Sequence, residues 1–587
     1  MKQELESSLQ RAVELLLDEQ ASEQLGEQAG EQTDGQRGEN APRVSLTRPK
    51  IREHGDYATN IAMPLAGKLG MKPRDVATRL LEQVIWPTAV ERTEIAGPGF
   101  INIHLQQASE ASILARILAE GGDYGRVSDA KAKGQSVCVE FISANPTGPM
   151  HVGHGRGAVV GDALASVLAA RGMAVSREYY INDAGVQIGK LADSIWFRIC
   201  EISLADFNEN MPEGCYPGDY IVEAAACLLK THAYNDLAAL AADERRALLC
   251  ELGIDLMMAM VRDDLVSLGI RFDTYFSEKS LHESGAVQAL IAQLKEEGRV
   301  YLGCLPAPKG KEIKDYTPTE QWLFRTTDYG DDVDRPLAKQ DGTATYFAAD
   351  IAYHVDKIGR GFDRLIDVWG ADHGGYVKRV QASVEALTGK KQQPEVVLVQ
   401  MVNLTRDGKP VRMSKRAGTF VTLREVVDEV GSDAVRFNFL TRRVESQLDF
   451  DLETAKQKND ENPVYYVQYA HARVCAILRK ATSEGVAPLP PADVDVSPLV
   501  SDEERRLVRE LLAWPEVLEQ AAKRLEPYRV AIYLMQLAAA LHSFYHKHRV
   551  VVDDADLAQA RLLLVLAVRQ VLANGLKLLG VGAPEQM

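Results

Sequence analysis

Between residues 136 and 402, short apolar segments alternate with helical stretches, and this alternation restricts the fold more than any other feature of the chain. Four segments read as buried strands: Ser136 to Ser143, Ala174 to Tyr180, Leu365 to Trp369 and Glu395 to Val402. Strands alternating with helices predict a parallel α/β sheet. Such sheets bind ligands at the carboxyl ends of their strands, so chemistry is to be sought in the segments that follow them.

The rest of the chain divides around this sheet. Residues 2 to 20 place Leu5, Leu9, Val13 and Leu16 at helical spacing, which suits an amphipathic helix. Glu23 to Asn40 is rich in Glu, Gln, Gly and Asp without apolar periodicity and reads as a flexible acidic loop. The turn Gly97-Pro98-Gly99 feeds a strand and closes a small α+β unit, 1–110. The sheet domain is expected over 111–425, Rossmann-like, with a mainly helical insertion around 201–334. From Glu425 the pattern turns helical, with a Pro-rich break at Ala487 to Ala492, and 426–587 reads as all-α.

The net charge of -16 argues at first sight against a nucleic-acid partner, since phosphate binding favours basic surfaces. The acidity is concentrated, however, in 1–42 (net -7) and 201–334 (net -13), while 43–79 carries eight basic and three acidic residues. Local basic strips on an acidic body are therefore expected to hold any phosphate ligand. No segment reaches the roughly 18 uncharged apolar residues of a membrane helix, and no secretory signal opens the chain, so the expected compartment is the cytoplasm. Seven cysteines without a CxxC pair, and histidines without HExxH, give no sign of a disulfide framework or a zinc site. No protein-held metal is expected.

The strand ending Val139-Glu140-Phe141-Ile142-Ser143 runs through Ala144-Asn145-Pro146-Thr147-Gly148-Pro149-Met150 into His151-Val152-Gly153-His154 at the start of an Ala/Val/Leu-rich helix. First-turn N–H groups and the helix dipole make such a junction an anion site. Two imidazoles there can stabilise charge developing on phosphorus. Taken alone, the pattern fits a glycine-rich turn with surface histidines equally well. It is not a dinucleotide fingerprint, because Val160 stands where the third glycine belongs. Nor is it a P-loop, because no Gly-Lys pair is followed by Ser or Thr. A second stretch, Thr405 to Gly418, holds five cations and one anion in a Gly/Pro-punctuated loop, suited to closing over a triphosphate.

Together these stretches carry a resemblance. His151-Val152-Gly153-His154 resembles the HIGH signature, and Arg412-Met413-Ser414-Lys415 the KMSKS signature, of class I aminoacyl-tRNA synthetases. With Ser143 to Pro149, Tyr179 to Gly185, Asp433 to Phe437 and the terminal Leu579 to Met587, nearly the whole chain resembles the bacterial-type arginyl-tRNA synthetases. The resemblance implies a catalytic sheet domain between an N-terminal tRNA-contacting domain and a C-terminal anticodon-binding helix bundle. It departs from the family pattern at Val152, which keeps an apolar β-branched residue, and at Arg412, which replaces an ammonium by a planar guanidinium.

The implied activity is arginine–tRNA ligation: ATP activates L-arginine to the adenylate, and the arginyl group passes to the 3'-terminal adenosine of tRNA(Arg). His151, His154 and Lys415 are implied as catalytic, stabilising the transition state. Gly153, Asp372, His373, Met413 and Ser414 join them around ATP, Asp372 and His373 also by their place after a predicted strand. Magnesium is expected with ATP rather than in a protein cage. Tyr346 and Asp350, four apart on a predicted helix face, match the family's guanidinium contacts, and Glu140 and Asn145 its contacts to the main-chain end of arginine. Tyr469 and Arg473 share a helical face suited to stacking a base and holding its phosphate. With Met587 they are implied to touch tRNA, as is the basic segment around Arg48, Lys50 and Arg52, without individual roles there. The resemblance also implies activation that depends on bound tRNA. The expected state is a monomer without a membrane partner. Two rivals remain at this stage, a synthetase for lysine and a non-catalytic RNA-binding relative.

Overall fold

The computed structural model describes residues 2–25, 41–49, 54–105, 108–127, 134–305, 319–391, 393–411 and 421–587. Its chain forms two compact units, one of 1–119 with 487–508 and 550–564, the other of 120–486 with 509–549 and 565–587.

In the first unit, α1 (Lys2–Leu25), β1 (Tyr57–Thr59), α2 (Ala62–Leu69), α3 (Pro73–Gln83), β2 (Val90–Ala96) and β3 (Phe100–Leu105) lead into α4 (Ala108–Glu120). The strands form an antiparallel sheet in the order β1-β3-β2. Leu5, Leu9, Val13 and Leu16 of α1 are buried with Leu65, Val76, Leu80, Ile101 and Ile103, as the apolar spacing requires. The helix runs to Leu25, into the segment read as an acidic loop; the remainder of that loop, 26–40, lies outside the described residues.

The second unit is built on β4 (Ser136–Phe141), α5 (Val152–Ala170), β5 (Ala174–Ile181), α6 (Val186–Ser203), α7 (Asp219–Leu228), α8 (Tyr234–Ala239), α9 (Ala242–Ser267) and β6 (Thr274–Ser277). It continues with α10 (Glu278–Glu283), α11 (Ala286–Glu296), β7 (Val300–Gly303), β8 (Gln321–Phe324), β9 (Arg335–Lys339), α12 (Tyr346–Gly359), β10 (Arg364–Gly370), α13 (Val377–Thr388) and β11 (Glu395–Val399). The five-stranded sheet has the order β11-β10-β4-β5-β6 and is parallel throughout. From β4 the chain winds outward to β5 and β6, then returns to the other side of β4 with β10 and β11. The strand order therefore reverses beside β4, and its carboxyl end is where a crevice must open.

All four predicted strands are present, the last ending at Val399. The reading of 201–334 as mainly helical is corrected in part: α7 to α9 are helical, but Thr274–Ser277 is the fifth parallel strand. Val300–Gly303, Gln321–Phe324 and Arg335–Lys339 also form a small antiparallel sheet, β7-β8-β9. Each of these strands has only four or five residues, too few for an alternation to show against the helical pattern around it.

Helix α5 is buried almost all round and meets β4 closely at Gly161, where an added Cβ would stand 2.3 Å from Phe141 Cγ. The close approach that a dinucleotide fingerprint assigns to its third glycine is thus made here one residue later. Beyond the sheet come β12 (Val402–Arg406), β13 (Lys409–Pro410), α14 (Leu423–Val430), α15 (Ser432–Phe439), β14 (Leu448–Asp451), α16 (Leu452–Lys456), α17 (Pro463–Ser483) and α19 (Tyr528–Lys547) in order of chain. They share this region with α18 (Asp502–Arg524) and α20 (Ala555–Leu578), each divided between the units. Arg436 of α15, 1% exposed, donates to Leu579 O at 2.7 Å and Leu268 O at 2.8 Å and pairs with Asp162 of α5. One buried guanidinium thereby ties α5, the end of α9 and the carboxy-terminal segment together.

Candidate active site

At the carboxyl ends of β4 and β10, a cavity of about 630 Å³ is lined by Glu140, Asn145, His151, Gly153, His154, Tyr346, Asp350, Asp372 and His373, among others. All the residues expected around ATP and arginine in the described part of the chain therefore meet at one place. Arg412, Met413, Ser414 and Lys415 lie outside the described residues. The chain re-enters beside the histidines: Leu423 N donates to Met150 O at 2.8 Å, and Thr422 bridges to His151.

The turn after β4 is backbone under strain. Ile142 and Ser143, neither of them glycine, hold φ of 72° and 42°, left-handed conformations that cost about 1–3 kcal/mol each and persist where the surroundings fix them. Ser143 Oγ donates to Glu140 Oε1 at 2.8 Å and accepts from Tyr180 N at 3.1 Å, locking the turn to β4 and β5. The chain then reaches His151, which caps α5 by accepting from Gly153 N at 3.1 Å. His154 Nδ1 accepts from His151 N at 3.4 Å, and the two rings stack with centroids 3.7 Å apart. Both imidazoles thus stand over the helix N-terminus, where first-turn N–H groups favour anionic oxygens. Asn145 is exposed, and its Nδ2 donates to Gln187 Oε1 at 2.8 Å.

The opposite wall is one face of α12. Tyr346, 63% exposed, stands at the mouth, and Asp350, one turn on, is half-buried with its carboxylate accepting from Tyr376 Oη. Withdrawal from water raises the Asp350 carboxyl to about 6 against the lowering effects of Tyr376 and His354; Glu278 and Glu140 push it further up. Glu278, 3% exposed, is raised as well, by burial and by Asp183, while Tyr180 and His282 oppose. These acids are held in a form hungry for a cation. Asp372 and His373 lie 3.6 Å apart on the short turn after β10, both exposed.

Below Asp350 the same helix face presents His354 and Lys357, which the sequence reading did not single out. Asp350, His354 and Lys357 follow one another at i, i+4 and i+7, a spacing legible in the sequence as a polar stripe on a mainly apolar helix. Asp367, within Leu365-Ile366-Asp367-Val368, was likewise visible as a carboxylate in a buried strand. Glu140, His354 and Asp367 are close enough together to hold an ion, but Lys357 Nζ already bridges Glu140 and Asp367, so an ammonium fills the cation position.

On α17, Arg473 donates to Tyr469 Oη at 2.6 Å and lies 4.7 Å over its ring and 4.8 Å over Tyr545. Tyr465 stacks on Tyr469. The last residues are strapped to α17 by Gln468 to Gly582 O and His471 to Pro584 O, leaving Met587 54% exposed. In the first unit Arg48 lies over Tyr57; Lys50 and Arg52 lie outside the described residues.

Residues 3–105 match the arginyl tRNA synthetase N terminal domain, 114–207 the class I (R) tRNA synthetase catalytic domain, and 467–587 the DALR anticodon binding domain. A parallel sheet opening into a paired-histidine turn, with these matches, defines a class I aminoacyl-tRNA synthetase. An arginine--tRNA ligase of Magnetococcus marinus is 51% identical over 551 residues, 93% of this chain and 95% of the relative. One of Azorhizobium caulinodans is 50% identical over 559 residues, 93% of this chain and 94% of the relative. The chain belongs to the arginine–tRNA ligase family. The structure of Thermus thermophilus arginyl-tRNA synthetase matches all of both chains with TM-score 0.73 at 23% identity. Mycobacterium tuberculosis methionyl-tRNA synthetase, solved with methionyl-adenylate, matches 76% of this chain and 91% of its own with TM-score 0.53 at 14% identity. These two likenesses speak for the fold.

Proposed function

We propose that the cavity between β4, β10 and α12 is where this arginine–tRNA ligase activates its amino acid. The observation that carries the reading is the arrangement of Asp350 at one end of the cavity and the paired histidines of α5 at the other. A guanidinium calls for carboxylates at one end of its pocket, and a reacting α-phosphate for anion-stabilising donors at the other.

Tyr346 and Asp350 take the guanidinium, and Glu140 and Asn145 the main-chain end of arginine. An arginine carboxylate oxygen attacks the α-phosphorus of ATP. A new P–O bond forms, the bond to the β-phosphate breaks, and its electron pair leaves with pyrophosphate. His151 and His154, with Lys415 from the signature loop, donate to the oxygens on which charge accumulates. Gly153, Asp372, His373, Met413 and Ser414 hold the nucleotide, whose phosphates a Mg2+ bound with ATP would neutralise. A ribose hydroxyl of the terminal adenosine of tRNA then attacks the arginyl carbonyl, and AMP departs. Tyr469, Arg473 and Met587 contact the anticodon region. The domains read as 1–110 for tRNA contact, 111–425 for catalysis and 426–587 for the anticodon. The enzyme acts as a monomer in the cytoplasm, without a membrane partner; among the described residues no helix is long and apolar enough to cross a membrane.

One consequence is a pH dependence. With the Asp350 carboxyl raised to about 6, the free enzyme holds a proton there below that pH, and arginine binding must expel it. KM for arginine is expected to be flat above about pH 7 and to rise by up to about tenfold per unit below about pH 6. Titrating arginine in tRNA-supported ATP–pyrophosphate exchange across this range checks it. A KM that stays flat down to about pH 5 contradicts the assignment.

A further inference from the structure

Three acids stand in register across the middle of the sheet. Asp367 of β10 and Glu178 of β5 both pair with Glu140 of β4, so the three side chains lie side by side on one face. Glu178 and Asp367 are 0% exposed and Glu140 6%. Adjacent like charges repel, and unpaired buried carboxylates are costly, so this row exists only because cations cover it.

The cover is α12. Arg360 grips Glu178 with two bonds, at 2.6 and 2.8 Å, and Tyr353 Oη donates to the same carboxylate at 2.6 Å. Lys357, 0% exposed, bonds Glu140 Oε2 and, at 3.0 Å, Asp367 Oδ1. His354 meets Asp367 Oδ2 at 2.9 Å through Nε2 and the Asp350 carbonyl oxygen at 2.7 Å through Nδ1. Burial works against ionised Asp367, yet Lys357 and His354 hold its carboxyl down at about 2. Both His354 ring nitrogens therefore face oxygen atoms, one on the strand and one on its own helix. The three carboxylates thus face the Arg360 guanidinium, the Lys357 ammonium and the His354 ring. Of the three, Glu140 alone lines the substrate cavity.

We propose that Lys357 is a positioning residue for arginine activation: its ammonium on one oxygen of the buried Glu140 carboxylate, with Ser143 on the other, fixes that carboxylate's aim at the ammonium of the substrate. The proposal rests on the reading of Glu140 as the contact for the main-chain end of arginine. The groups facing Glu140 are Lys357, His354, Tyr353 and Asp350 from α12, Asp367 from β10, Cys138 from β4, and Glu178 and Tyr180 from β5. Lys357 is the cation among them that touches Glu140. Without it, Glu140 lies between two other acids with no ammonium to hold its carboxylate in place. Its oxygen is then no longer aimed at the ammonium of the substrate.

The test is tRNA-supported pyrophosphate exchange by Lys357→Met, with arginine titrated. Expected is a rise in arginine KM of about 30-fold or more with a much smaller change in kcat. In Glu140→Gln/Lys357→Met, the KM should match that of Glu140→Gln alone, because the lysine acts through the carboxylate. Should Lys357→Met fail to fold, Lys357→Met/Asp367→Asn removes one buried charge of each sign and still leaves Glu140 without its ammonium. A folded variant with unchanged KM overturns the proposal. So does a rise that adds to the Glu140→Gln effect, which marks a merely structural residue. If Glu140→Gln itself leaves the arginine KM unchanged, the reading of Glu140 fails and the proposal falls with it, a result distinct from failure of Lys357 alone.

Discussion

Replacing Asp350 by Asn is expected to lower kcat/KM for arginine by about 10³-fold, almost all of it in KM. Asn keeps the shape and an acceptor for Tyr376 but removes the charge that meets the guanidinium. The fold should not suffer, and the sign follows from the raised carboxyl. A group whose pKa is lifted to about 6 from its ordinary value of 3.8 is destabilising when ionised, so at pH 8 removing it should leave Tm unchanged or slightly higher. Steady-state exchange kinetics and a thermal melt at that pH check both parts. A full loss accompanied by a large drop in Tm would make Asp350 a structural residue.

The second large effect is expected at the helix that receives ATP. His154→Ala should reduce kcat of adenylate formation by about 10² to 10³-fold while arginine KM moves little, since an anion-stabilising donor acts mainly in the transition state. His151 carries two duties, because its ring also caps α5 through Gly153 N. Its loss to Ala should therefore cost about 1 kcal/mol of stability as well, and His151→Asn, which retains a capping acceptor, should separate the duties. Single-turnover formation of the adenylate together with denaturant melts reads the two apart. Equal loss of kcat in His151→Asn and His151→Ala, with stability restored only in the former, is the expected pattern.

Much of this arrangement was legible in the sequence. The central strands announce themselves as short apolar runs, and the turn from Asn145 to His154 can only follow a strand and open a helix. Tyr346 and Asp350 share a face because helices repeat every 3.6 residues, and that face lines the cavity. What escaped was non-local. The register that aligns Asp367, Glu140 and Glu178 is a property of three strands separated by up to about 230 residues, and no spacing within any one segment encodes it. The strain at Ile142 and Ser143 was equally hidden, since an Ile gives no cue for a left-handed backbone. Thr274–Ser277 escaped because four half-buried residues between helices carry no period of their own.

The most direct test of the account is arginine-dependent ATP–pyrophosphate exchange, with and without tRNA(Arg), set against the same assay with lysine. A planar guanidinium can share its five donors between Asp350 and its neighbours, whereas an ammonium is a compact point charge that cannot span them. The expected result is exchange with arginine, supported by tRNA, and none with lysine at matched concentration. Exchange with lysine but not arginine, or none even with the cognate tRNA present, would contradict it.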